Sequence, residues 1–121
     1  MEILLCDDDS TIVGIVRFRL TREGIGNVYH ASDGRLARQL LRERKYDLVI
    51  MDIHMPYHSG LEIVTFIREE MKSDVPIIIL SAEGLEETVL EAFDIGANDF
   101  ITKPFSPAEL VIRVKRLVKK S

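Results

Sequence analysis

The chain has 121 residues, a net charge of −4, 46% hydrophobic residues and 30% charged residues. This length fits one domain over residues 1–121, and the composition excludes wholesale disorder. The acidic balance argues against direct binding of nucleic acid, and no aliphatic run approaches the roughly 20 residues of a membrane span. The start lacks a basic leader, and the single cysteine, Cys6, has no internal disulfide partner, so we expect a cytoplasmic protein.

Short apolar runs alternate along the chain with amphipathic stretches. In chain order they predict strand Ile3–Cys6, helix Ser10–Arg22, strand Val28–His30, helix Gly34–Arg44, strand Leu48–Met51, helix Gly60–Met71, strand Ile77–Leu80, helix Leu85–Ile95, strand Phe100–Ile101 and helix Pro107–Val118. This alternation predicts an α/β fold with an open, doubly wound parallel sheet and helices on both of its faces.

Spacings of three and four between apolar residues define the buried face expected for each helix. Three of these faces are Val13, Val16 and Leu20; Leu36, Leu40 and Leu41; and Leu85, Val89, Ala92 and Phe93. Residues suited to helix N-caps precede three of the helices, namely Asp9 (with Ser10 as an alternative), Asp33 and Ser106.

Polar groups follow four of the predicted strands. Asp7, Asp8 and Asp9 come after the first strand, Asp52 after the third, Ser81 after the fourth, and Thr102 and Lys103 after the fifth. In an open parallel sheet, ligands bind at the carboxyl ends of the strands, so these groups should meet there. Three carboxylates in close proximity repel one another unless a cation neutralises them, and Mg²⁺ prefers such oxygen ligands.

An aspartate in this setting is suited to nucleophilic attack on phosphorus. A carboxylate can form an aspartyl phosphate, and a metal, an ammonium and a hydroxyl group stabilise the transferring phosphoryl group. Asp52 ends the most aliphatic run and is the better candidate nucleophile, whereas Asp7 and Asp8 are suited to hold the metal. His30, His54 and His58 lack a zinc-binding spacing and are expected on the surface.

Four motifs together resemble the receiver domain of two-component response regulators. They are Leu4-Leu5-Cys6-Asp7-Asp8-Asp9, Met51-Asp52-Ile53-His54-Met55-Pro56, Ser81-Ala82 and Thr102-Lys103-Pro104-Phe105. The resemblance implies a flavodoxin-like (βα)5 fold with strand order 2-1-3-4-5. It implies that Asp52 accepts a phosphoryl group from a histidine kinase or phosphotransfer protein. It also implies that Asp7, Asp8, Asp52 and the backbone carbonyl of His54 bind Mg²⁺, while Ser81 and Lys103 contact the phosphoryl oxygens.

The same resemblance implies a conformational switch. Ser81 would move towards the phosphate and Phe100 would turn inward, and the face formed by residues 85–118 would change its affinity for an output domain or partner. Moving a two-state equilibrium from 1:99 to 99:1 takes about 5.5 kcal/mol. Phe100 lacks the hydroxyl of the tyrosine that is frequent at this position. His54 and Glu83 stand where the family tunes loss of the phosphate, and Arg113 and Lys115 are candidates for pairing across a phosphorylation-dependent dimer.

Two alternatives to a non-enzymatic phosphorylated switch remain open. Asp7-Asp8-Asp9-Ser10-Thr11 also resembles the first motif of haloacid-dehalogenase-type phosphohydrolases, in which Asp7 would be the nucleophile. A receiver-like interaction module that is never phosphorylated is the second alternative. Phosphate on Asp7 would indicate the hydrolase, and phosphate on Asp52 would indicate the receiver.

Overall fold

A computed structural model describes residues 1–82 and 84–118 of the chain. The five strands are β1 (Glu2–Cys6), β2 (Asn27–Ala31), β3 (Leu48–Asp52), β4 (Ile77–Ser81) and β5 (Asp99–Thr102). The helices are α1 (Ser10–Arg22), α2 (Gly34–Glu43), α3 (Gly60–Thr65), α4 (Glu86–Asp94) and α5 (Pro107–Val118). All ten predicted elements are present, and apart from the third helix no boundary is shifted by more than one residue.

The five strands form one parallel sheet of order β2-β1-β3-β4-β5, which confirms the predicted flavodoxin-like fold. Alternate residues of each strand face opposite sides, so the sheet has two apolar cores. On one side, Leu4, Met51 and Ile79 pack with buried residues of α2, α3 and α4. On the other side, strand residues such as Leu5 and Ile50 pack with α1 and α5.

The third helix differs from the continuous helix predicted over Gly60–Met71. After α3, the chain widens into a π-helical turn over Phe66–Glu70, and the backbone N–H of Met71 donates to the carbonyl of Phe66 at 3.0 Å. Within that turn, the guanidinium of Arg68 donates to the Gly96 carbonyl at 2.8 Å and to the Ser73 carbonyl at 2.9 Å. Periodicity cannot distinguish one π turn from an α turn, because the apolar side chains stay on the same face.

Side-chain caps fix the starts of α1, α2 and α3. Asp9 accepts hydrogen bonds from Thr11 and Ile12, so Asp9 rather than Ser10 caps α1, and Asp33 caps α2 as predicted. Ser59, to which the sequence assigned no role, forms a reciprocal capping box with Glu62 at the start of α3.

The predicted buried face of α4 is wrong for Leu85 and Phe93. Leu85 is 58% exposed and Phe93 is 44% exposed, and only Ala92 of this helix is fully buried. Leu85 also lies at the N-cap and not within the helix. A helical spacing identifies an apolar face but cannot reveal whether another element covers it. None of the helices in the described ranges is long and apolar enough to cross a membrane.

Candidate functional site

Three aspartates meet at the carboxyl end of the sheet. Asp52 is the last residue of β3, and Asp7 and Asp8 directly follow the adjacent strand β1. One carboxylate oxygen from each aspartate lies within 4.8 Å of the others. Asp7 is fully buried and Asp52 is 5% exposed, whereas Asp8 is exposed. The predicted carboxylate cluster is therefore present and opens to solvent on the side of Asp8.

Lys103 places its ammonium group between two of these carboxylates. Its Nζ lies 2.9 Å from Asp7 Oδ2 and 3.6 Å from Asp52 Oδ1. The backbone N–H of Lys103 donates to the Ser81 carbonyl at 2.8 Å, which ties the end of β5 to the end of β4. The side chain of Lys103 is 15% exposed, so this ion pair has little screening by water.

Burial and charge perturb both partners of this pair. Burial raises the pKa of Asp52, the positive charge of Lys103 opposes the rise, and the negative charges of Asp7 and Asp8 add to it. Burial would lower the pKa of Lys103, but its hydrogen bond to Asp7 and the charge of Asp52 outweigh burial and raise that pKa. The ionised form of Asp52 is thus destabilised in the folded protein, because the charge of Lys103 offsets only part of the effect of burial.

Both carboxylate oxygens of Asp7 already have a partner or a close neighbour. Oδ1 accepts a hydrogen bond from the backbone N–H of Asp9 at 2.9 Å, and Oδ2 accepts from Lys103. His30 Nε2 lies 2.9 Å from the backbone carbonyl oxygen of Asp7. His30 is half-buried on β2 beside β1, so it is only partly at the surface.

The loop that follows Asp52 is held against the backbone by two glycines. The N–H of Gly60 donates to the Ile53 carbonyl at 2.7 Å, and a Cβ on Gly60 would collide with the Asp52 carbonyl oxygen. A Cβ on Gly34 would lie 2.5 Å from the Cβ of His58, which is half-buried. The loop that follows Asp52 is therefore packed closely against the end of β3 and the start of α2.

This close approach predicts that Gly60→Ala destabilises the domain by roughly 1–3 kcal/mol, because the added methyl forces the loop away from Asp52. Gly14→Ala is the matched control. Nothing lies within 4 Å of a Cβ on Gly14, which is exposed in α1, so this change should stabilise the domain by about 0.5–1 kcal/mol. Urea unfolding of both variants measures the difference, and equal effects would contradict the steric argument.

The other predicted site residues lie around this cluster. Ser81 is fully buried at the end of β4, and Phe100 is half-buried and packs against the core on the α2–α4 side of the sheet. His54 is exposed, and its backbone N–H bonds to Asp52, which lowers the pKa that burial raises. Glu83 lies outside the described residues.

Comparison with known proteins identifies the class that this fold and site define. The family model for the response regulator receiver domain matches residues 3–115. The chain belongs to this family of two-component signalling proteins.

Curated and solved relatives agree with that assignment. The transcriptional regulatory protein SrrA of Staphylococcus aureus is 38% identical over 120 residues, which cover 99% of this chain and 48% of SrrA. The chain thus spans about half the length of the curated relatives it matches.

Two solved receiver structures show the same architecture over almost their full length. The receiver domain of the Francisella response regulator 1452 is 34% identical with a TM-score of 0.92, and covers 98% of this chain and 97% of that one. The chemotaxis response regulator CheY4 of Vibrio cholerae is 31% identical with a TM-score of 0.88, and covers 96% and 97%.

Proposed function

We propose that this chain is a phosphorylation-controlled switch, in which Asp52 accepts a phosphoryl group from a histidine kinase or a phosphotransfer protein. The observation that carries the proposal is the position of Asp52, which is almost buried at a strand end, 3.6 Å from the ammonium of Lys103 and beside Asp7 and Asp8. Family membership supports the same role.

In the transfer step, a carboxylate oxygen of Asp52 forms a bond to phosphorus while the P–N bond of a phosphohistidine breaks. The electron pair of that bond stays on the imidazole nitrogen, which takes up a proton from solvent. The charge of Lys103 and the polar group of Ser81 stabilise the oxygens of the transferring group. The product is an aspartyl phosphate, so the domain is regulatory and is not proposed to turn over a substrate.

The acidic cluster suits Mg²⁺. Its donors are all oxygen atoms, and three carboxylates within 4.8 Å carry more negative charge than one ammonium neutralises. We propose that Asp7, Asp8, Asp52 and the backbone carbonyl of His54 hold the ion. When bound, it neutralises charge on the carboxylates and on phosphoryl oxygens.

Asp7 is a poor candidate nucleophile by comparison. It has no exposed surface, and its two oxygens are engaged with the Asp9 amide and with Lys103. These contacts disfavour the phosphohydrolase alternative. The alternative of an unphosphorylated interaction module is disfavoured because the entire reactive set of Asp7, Asp8, Asp52, Ser81 and Lys103 is intact.

The proposed output surface is the face of residues 85–118. It exposes apolar side chains that Ser81 and Phe100 would reposition after phosphorylation, among them Leu85, Leu90, Phe93 and Ile112. Arg113 pairs with Asp99 at 2.6 Å and with Glu109 at 2.9 Å within the chain, so a dimer contact through Arg113 would have to share or replace these bonds.

We further propose that residues 1–121 form a single receiver domain that acts in the cytoplasm on an output domain or a separate partner. The one cysteine, Cys6, is buried, and burial raises the pKa of its thiol, which suits a reduced and unreactive side chain. Direct binding of nucleic acid is not part of this proposal.

Mass spectrometry tests the proposed phosphoacceptor. The chain is incubated with acetyl phosphate and Mg²⁺, reduced with borohydride to mark the acyl phosphate, and digested for peptide mapping. We expect the mark on Asp52, and its loss when EDTA replaces Mg²⁺. A mark on Asp7 would support the hydrolase. Absence of the mark both with Mg²⁺ and with EDTA would favour the unphosphorylated module.

A further inference from the structure

A cavity of about 410 Å³ lies at the end of the sheet opposite to Asp52, between α2 and the π-helical turn that follows α3. Two of its wall residues, Tyr46 and Val75, stand just before β3 and β4. Five-residue parallel strands separate this cavity from the acidic cluster by roughly 15 Å. The volume lies within the range of small-molecule sites.

The cavity has an apolar floor and a polar rim. The floor contains Leu41 and Ile67, which are almost fully buried, together with the half-buried Met71 and Val75. Ser73 also lines the cavity, and its hydroxyl oxygen accepts from the Val75 N–H, which leaves the hydroxyl proton available to a ligand. These walls fit an organic molecule with an apolar body and a polar head.

Positive charge is concentrated around this cavity in a protein whose net charge is negative. The rim carries Arg44, Lys45 and Lys72 against one acidic residue, Asp74. Arg44 is engaged by the Tyr29 hydroxyl at 2.8 Å and by Glu2 at 3.7 Å. Lys45 and Lys72 have no ion pair within residues 1–82 and 84–118.

The positive charge extends along α2. Residues 34–45 contain five cationic side chains and one anionic side chain, Glu43, whereas the whole chain has a net charge of −4. Guanidinium groups on this stretch are ordered by stacking on aromatic rings. Arg35 lies 3.6 Å from the Tyr57 ring centroid, and Arg38 lies 4.4 Å from that of Phe66. This field favours an anionic ligand over a neutral one.

The backbone at the cavity is also unusual. Met71 directly follows the π-helical turn, and Lys72 has a left-handed φ of 54° although it carries a long side chain. Such turns and such backbone conformations occur frequently at functional sites. The buried hydroxyl of Tyr46 has no hydrogen-bond partner in the part of the chain that the structure describes.

We propose that this cavity binds a small amphipathic organic anion, with its apolar body on Leu41, Ile67 and Val75 and its anionic head at Lys45 and Lys72. The site is separate from the phosphoacceptor and does not depend on the proposed function of Asp52.

Three probes with the same alkyl chain test this site: octanoate, octanol and protonated octylamine. Each is titrated into the ¹⁵N-labelled chain at neutral pH, in submicellar amounts, while amide shifts are followed by NMR. We expect octanoate to shift the amides of Tyr46 and Val75 and to bind about tenfold more tightly than octanol, as one charge-assisted contact provides. Octylamine should bind more weakly than octanol. No saturable shifts with octanoate at millimolar concentration, or equal affinity for the three probes, would overturn the proposal.

Substitutions at the rim test how much its positive charge contributes to octanoate affinity, apart from the contribution of the apolar floor. Lys45→Gln combined with Lys72→Asn removes both charges, and Asn tolerates the left-handed backbone at that position. This double variant should reduce octanoate affinity about tenfold and leave octanol affinity unchanged. Arg22→Gln, which removes an exposed cation from α1 on the other face of the sheet, should leave octanoate affinity unchanged. Equal losses in the double variant and the control would refute a specific site.

Discussion

Asp52→Asn is expected to abolish phosphorylation by acetyl phosphate in the presence of Mg²⁺. The amide lacks the negative oxygen that the proposed transfer requires, and no other carboxylate in the cluster combines the same position at a strand end with an approach from solvent. Asp7 is buried and bonded on both oxygens, and Asp8 lies beyond the end of β1. We expect less than about one hundredth of wild-type labelling, measured by intact mass or by Phos-tag electrophoresis.

Asp47→Asn is the matched control for loss of labelling. Asp47 is an exposed aspartate just before the start of β3, at the opposite end of the strand from Asp52. This variant should label as wild type. Full labelling of Asp52→Asn would show that another residue accepts the phosphate and would refute the assignment.

Asp52→Asn should also stabilise the metal-free domain at neutral pH. Burial raises the pKa of Asp52, so ionisation of this residue opposes folding. This penalty is absent below the ordinary pKa of an aspartate, where the group is protonated in both states, and is fully present above the raised pKa of the folded state. The free energy of unfolding of Asp52→Asn in EDTA should therefore exceed that of wild type more at pH 7 than at pH 4.

Lys103→Met is expected to destabilise the metal-free domain by about 3 kcal/mol at pH 7. Removing the ammonium leaves the fully buried Asp7 carboxylate without its cation, and breaking such a buried pair is strongly unfavourable. Urea unfolding in EDTA measures this loss. Addition of Mg²⁺ should recover part of it, since a metal ion at the same carboxylates restores positive charge.

Lys115→Met provides the comparison for Lys103→Met. Lys115 pairs with Glu23 at 3.4 Å, but its side chain is 52% exposed, so its loss should cost less than about 1 kcal/mol. Equal destabilisation by the two variants would contradict the assigned importance of burial.

The ion pair of Lys103 should stabilise wild type fully below the ordinary lysine pKa, and this contribution should disappear as the pH rises through the raised pKa of Lys103 in the folded state.

The sequence predicts four side chains as neighbours because each follows a short apolar run: Asp7, Asp52, Ser81 and Lys103. Parallel strands end at one edge, so strand-end residues from distant parts of the chain must meet there. The strand order, by contrast, was implied only by the family resemblance, and the structure confirms that order. His30 also ends a predicted strand, but its contact with the Asp7 carbonyl depends on the pairing of β1 with β2 and was missed.

The alternation of apolar and polar residues by itself determined the class of fold and the edge at which the acidic cluster forms. Only the tertiary structure decided which carboxylate is fully buried, how Lys103 divides its charge between Asp7 and Asp52, and that Leu85 and Phe93 remain exposed. It also brought the basic end of α2 beside the π-helical turn to form a cavity. The physical reason is that periodicity describes one element at a time, whereas burial and charge pairing depend on what neighbouring elements cover.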